Sequence, residues 1–107
     1  MWFIFPQIQG LGSSSMAQRF AITDLAEARA YLAHPTLGPR LRDCTALVNA
    51  IQDRSIEQIF GYPDDLKFHS SITLFAQAAT PEADDVFTTA LQKRFAGKPD
   101  PATLGRL

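Results

Sequence analysis

Disulfides, cysteine-based metal sites, long apolar runs and a strong net charge are all missing from this 107-residue sequence, and each absence removes a class of protein. The single cysteine, Cys44, has no partner for an internal bridge or a thiolate metal cluster, so the chain fits a reducing compartment and is expected to be cytoplasmic. Ten Lys and Arg stand against eleven Asp and Glu, scattered along the chain, which argues against a nucleic-acid interface or an acidic-membrane surface because both need clustered cations. The longest aromatic run, Trp2-Phe3-Ile4-Phe5, is broken by Pro6 and Gln7 and is too short to span a bilayer. It also lacks the basic flank and small-residue cleavage site of a signal peptide. What remains is an ordinary apolar fraction, 46%, in a chain that can bury about two-thirds of its unfolded surface in one core. One domain over residues 1–107 follows.

Helical punctuation dominates the chain. Gly10-Leu11-Gly12-Ser13-Ser14-Ser15 reads as a loop, because glycine permits positive φ and serine competes for local backbone bonds. A short helix over Met16 to Ala21 follows. Asp24, with Glu27 three residues on, then opens a helix that stops at His34 before Pro35, with Leu25, Ala28, Tyr31 and Leu32 on its apolar stripe. Thr36 caps a second helix running to about Asp53, with Leu37, Leu41, Cys44, Leu47, Val48 and Ile51 inward. Ser55 and Gln58 have capping-box spacing for a helix over 56–60 that Gly61 closes. Pro63, Asp64 and Asp65 start another to about Ala79. Thr80-Pro81-Glu82 starts one that carries Val86, Phe87, Ala90, Leu91 and Phe95 inward to Gly97, and Asp100-Pro101 opens a final turn. Apolar and polar residues alternate only weakly, around Phe3 to Ile8. The predicted class is therefore all-α, a bundle of about five helices behind an irregular aromatic N-terminal segment.

Four places carry residues suited to chemistry. The Gly10/Gly12 loop offers free backbone N–H groups and the Ser13 hydroxyl to an oxyanion, although no Lys follows as in a P-loop and the dinucleotide fingerprint is incomplete; a plain connecting loop explains the same residues. Asp64, Lys67 and Ser71 share one helix face, where Lys67 either clamps an anion or forms a rim ion pair with Asp64. His34 is the candidate acid or base, and its place at a helix C-terminus, where the dipole favours the charged ring, is also sufficient structural reason for it. Arg40 follows it at the same corner. Trp2, Phe3, Phe5 and Gln7 form an aromatic group that something must cover: the domain's own helices, a partner chain, a flat ligand or a segment outside this chain. His69 has only Asp65 at ligand spacing, so no metal is expected, and no motif calls for a cofactor.

The order of Trp2-Phe3-Ile4-Phe5-Pro6-Gln7, Gly10-Leu11-Gly12-Ser13, Tyr31-Leu32-Ala33-His34-Pro35, Leu37-Gly38-Pro39-Arg40-Leu41, Ile59-Phe60-Gly61 and Ser70-Ser71-Ile72-Thr73-Leu74-Phe75 resembles domain-of-unknown-function family 1810. The resemblance spans nearly the whole chain. It implies a small, mostly helical bacterial domain with no established activity and supplies no catalytic residues. Some members carry the label calpastatin, for which these residues give no chemical basis. The family pattern usually has a further helical segment before the Trp2 word, so the resemblance implies that Met1 lies inside the family domain.

Three functions stay open at this level. The first is a binding module or an enzyme for a small anionic ligand, held by Gly10, Gly12, Ser13, Arg40, Lys67 and Ser71, with Trp2 and Gln7 against a flat group and His34 as the acid or base if a reaction is catalysed. The second is a non-enzymatic interaction domain using the Trp2 to Ile8 surface, with self-association as one outcome. In the third, every one of these words is capping and core chemistry.

Overall fold

The structure is a computed structural model and describes residues 5–11, 21–80 and 84–107. Among these residues it is all-α, with α1 (Leu25–Ala33), α2 (Leu37–Ala50), α3 (Ile56–Phe60), α4 (Asp64–Ala78), α5 (Val86–Phe95) and α6 (Pro101–Leu104). The weak alternation near the N-terminus yields one isolated parallel bridge, Ile8 to Ile22. There Ile22 N donates to Gln7 O and Gln9 N donates to Ile22 O, each at 2.8 Å. Apart from Ala21, the helix predicted over Met16 to Ala21 lies outside the described residues, as do Trp2, Phe3, Gly12, Ser13 and the Pro81-Glu82 start signal.

The sequence of α4 sets the architecture. Phe68, Ile72 and Phe75 form the expected stripe, but Ser70, Ser71, Thr73, Leu74 and Ala78 are buried as well, so this helix is enclosed on nearly every side. It packs against α1, α3, α5 and α6, while α2 lies across α1 and α5. Two aromatic groups form along it. Phe68 meets Phe5 edge-on at 4.9 Å and Phe60 at 5.1 Å, and Phe75 meets Tyr31 at 5.4 Å and Phe87 at 5.8 Å. Phe5 is thus covered by the domain's own helices, and Pro6 and Ile8 are buried beside it. Each ring pair adds about 0.5–1.5 kcal/mol beyond area burial.

Local capping follows the sequence closely at three starts. Asp24 accepts from Glu27 N at 2.8 Å, Ser55 and Gln58 form the reciprocal box, and Asp100 caps α6 behind Pro101. The second helix departs from expectation at both ends. Thr36 makes no side-chain cap; instead His34 Nδ1 accepts from Thr36 N and Leu37 N, each at 3.1 Å. His34 therefore closes α1 and opens α2, and its ring serves as an acceptor at the start of α2 rather than only as a side chain at the end of α1. At the other end α2 stops at Ala50, short of Asp53, which takes φ 61°. The cause lies on α5. Arg94 donates to the carbonyls of Val48, Ile51 and Arg54, and Lys93 Nζ donates to Asn49 O at 3.0 Å, so side chains from α5 satisfy the carbonyls of the last turn.

The inward face of α2 holds at Leu41 and Val48, which are buried, and at Leu37, Cys44 and Ile51, which are partly so, but Leu47 is 69% exposed and Thr45 and Asn49 are buried in addition. Gly38 explains the close packing of α1 on α2, since a Cβ there would collide with the backbone oxygen of Leu32. Among the described residues α5 begins at Val86, later than the Thr80 signal, and Asp84 N donates to Thr80 O at 2.8 Å.

Candidate functional site: a cation-lined groove beside Gly10

The Ile8–Ile22 bridge holds Gln7 to Gln9 in place and presents Gly10 as a turn at φ 97°, a conformation that favours glycine. On the other side stands the end of α6. That short helix would fray if left alone, yet Asp100 fastens it to α4. Asp100 Oδ2 accepts from Thr103 Oγ1 at 2.6 Å, Thr103 N at 3.2 Å and Ser70 Oγ at 3.0 Å, and Asp100 N donates to Thr73 Oγ1 at 2.9 Å. Partial burial pushes the Asp100 carboxyl up, but the bonds from Thr103 and Ser70, together with the nearby His69, hold it below the ordinary aspartate value. His69 supports the same junction, stacked on Phe95 at 3.9 Å with Nε2 2.8 Å from Lys98 O.

These ties deliver the Arg106 guanidinium onto Gly10. A Cβ at Gly10 would collide with it, with Cζ at 2.8 Å, so the absence of a side chain is what lets the cation lie against the backbone. Gln9, Leu11, Thr23, Ala102, Gly105 and Arg106 line the resulting open groove, about 490 Å³ in volume. Arg106 is its charged member and makes no ion pair with another described residue. A guanidinium beside exposed backbone and a threonine is suited to a carboxylate or phosphate.

The other sequence candidates are dispersed. Gln7 is half-buried beside the bridge. Arg40 stands beside Tyr31, where burial raises the phenol above its ordinary value, the Arg40 cation offsets part of that rise and Cys44 adds slightly to it. Lys67 is half-exposed on the first turns of α4, and its expected pair with Asp64 is not formed; among the described residues the ion pair is Arg42–Asp84, at 2.7 Å. Ser71 is fully buried and its hydroxyl has no partner among the described residues, so it does not share a surface with Lys67. His34 spends Nδ1 on the α2 cap. The glycine turn is thus joined to a cation, but to Arg106 rather than Arg40 or Lys67. Arg106 carries no motif, and only its spatial meeting with Gly10 distinguishes it. Asp100 was visible as a cap, whereas its bonds to Ser70 and Thr73 on α4 were not.

Among the described residues no three His, Cys, Asp or Glu side chains gather as a metal site, and no helix is long and apolar enough to cross a membrane.

An all-helical domain threaded on one enclosed helix, with a shallow groove bearing one cation, is the class defined by these features. Within that class the chain belongs to the family described as protein of unknown function (DUF1810), whose model matches residues 1–107. It is similar to the crystal structure of the conserved hypothetical protein Rv1873 from Mycobacterium tuberculosis, with 55% identity and a TM-score of 0.94, over 99% of this chain and 74% of that one. No curated protein matches it.

Proposed function

We propose that this domain binds a small phosphate- or carboxylate-bearing ligand in the groove between the Gly10 turn and α6, in the reducing cytoplasm that a lone Cys44 fits. The observation that carries the reading is the Arg106 guanidinium laid against Gly10, where any side chain would displace it. A second guanidinium or ammonium is not required. Arg106 offers two parallel donors to one oxyanion, and the open backbone of the turn adjoins it. Support for an interface built on the Trp2 to Ile8 segment is weaker, because Phe5, Pro6 and Ile8 are spent on the domain's own core.

Inorganic phosphate and citrate, titrated separately, test the reading through amide chemical shifts and the thermal midpoint. Saturable shifts at Gln9, Gly10, Thr23 and Arg106 are expected, and a ligand at a hundred times its Kd stabilises the fold by about 2.7 kcal/mol. Arg106→Gln removes both effects, while Arg40→Gln and Lys67→Gln leave them unchanged. Shifts that survive Arg106→Gln, or no shift with either anion, overturn the assignment.

A further inference from the structure

A second concavity, independent of the Gly10 groove, lies where the C-terminal ends of α1 and α4 meet α2. Its volume is about 330 Å³, within the range of about 300–1,000 Å³ usual for small-molecule sites. Leu32, Ala78 and Ala79 supply an apolar floor, and Arg29, Arg42 and Asp84 stand at its rim. Arg29 and Leu32 are three residues apart on α1 and so face the same way.

Arg42 is already held in place. Its Nε donates to Asp84 Oδ2 at 2.7 Å and its Nη1 to Leu32 O at 3.1 Å, while Nη2 bonds no described residue. The side chain is 36% exposed and that of Asp84 14%, so the pair sits at the mouth rather than in the core. Two fixed bonds pre-pay the ordering of a long side chain and leave one edge of the guanidinium to a ligand. Among the described lining residues, two cations against one carboxylate leave a surplus of one positive charge.

We infer that this pocket takes a monocarboxylate carried on a compact apolar group, with the carboxylate received by Arg42 Nη2 and Arg29 and the apolar group laid on Leu32, Ala78 and Ala79. Asp84 has two opposed effects: it orients Arg42, and its own charge repels the incoming anion. The apolar floor separates this ligand from the small phosphate- or carboxylate-bearing one suited to the more polar Gly10 groove, and the single surplus charge favours a monoanion over a dianion.

Benzoate is the probe, with benzyl alcohol and inorganic phosphate as controls, read by amide shifts at Leu32, Ala33, Ala78, Ala79 and Thr80. Benzoate is expected to shift these amides saturably, and neither control to do so at the same concentration. Arg29→Gln, at an exposed position that leaves the Arg42–Asp84 pair intact, weakens binding about tenfold, and Arg42→Gln does so at least as strongly. Asp84→Asn keeps an acceptor for Arg42 while removing the repelling charge, so it tightens benzoate several-fold. Equal binding of benzyl alcohol, indifference to Arg29→Gln, or weaker binding in Asp84→Asn each overturns the proposal. Phosphate shifts confined to Gly10 and Arg106 leave it standing, since the two sites share no lining residue.

Discussion

His34 shows how much one side chain decides here. A cap that accepts from Thr36 N and Leu37 N satisfies two donors at the start of α2, where Pro39 has none and Thr36 makes no side-chain cap of its own. His34→Ala is therefore expected to cost about 0.5–2 kcal/mol, read from the urea midpoint at neutral pH, and His34→Asn to recover much of it because its carboxamide oxygen also accepts. An unchanged midpoint in the alanine variant would remove the capping role. Thr36 looked like the cap because Ser and Thr before an apolar run usually are. Its backbone is helical, φ −107° and ψ −47°, so its hydroxyl makes no cap bond. Ser71 and Lys67 teach the same lesson on α4, where helical spacing places both toward one side but cannot say that neighbouring helices close over the serine and not the lysine.

Between elements the decisive contacts are polar bonds that cross from one helix to another. Asp100 ties α6 to α4 through Ser70 and Thr73, and its carboxyl is held below its ordinary value of 3.8. A lowered carboxyl contributes stability that is present above the unfolded value and lost as pH falls through the folded one. The urea midpoint should therefore drop as pH falls below about 3.8, and Asp100→Asn should flatten that part of the profile. A variant with the same acid limb as the parent would remove Asp100 from the account. The end of α2 has a similar cause. Its residues continue to favour a helix toward Asp53, but Arg94 and Lys93 take the carbonyls at Val48, Asn49 and Ile51, and the chain turns away. Starts were legible where the cap was local, as at Asp24, Ser55 and Asp100. The end of α2 was not, because its partners lie on α5.

For the molecule as a whole, α4 is the common wall on which α1, α3, α5 and α6 all lean, so loss of its packing is loss of the fold. Phe68, fully buried between Phe5, Phe60 and Phe95, is its most connected ring. Phe68→Ala should cost about 3–5 kcal/mol, a large part of a margin of about 5–15 kcal/mol, and calorimetry should show a lowered or vanished cooperative transition. A transition within a few degrees of the parent's would contradict a single core built on α4. The all-α class, the position of α3, the extent of α4 and the inward residues of α5 follow from the order of residues, because caps and apolar periodicity act over one or two turns. That Arg106 rests on Gly10, that Arg42 joins Asp84, that Leu47 faces out and that Ser71 faces in depend on helices distant in sequence meeting in space. Burial and long-range hydrogen bonds belong to that packing, and no local pattern of residues encodes them.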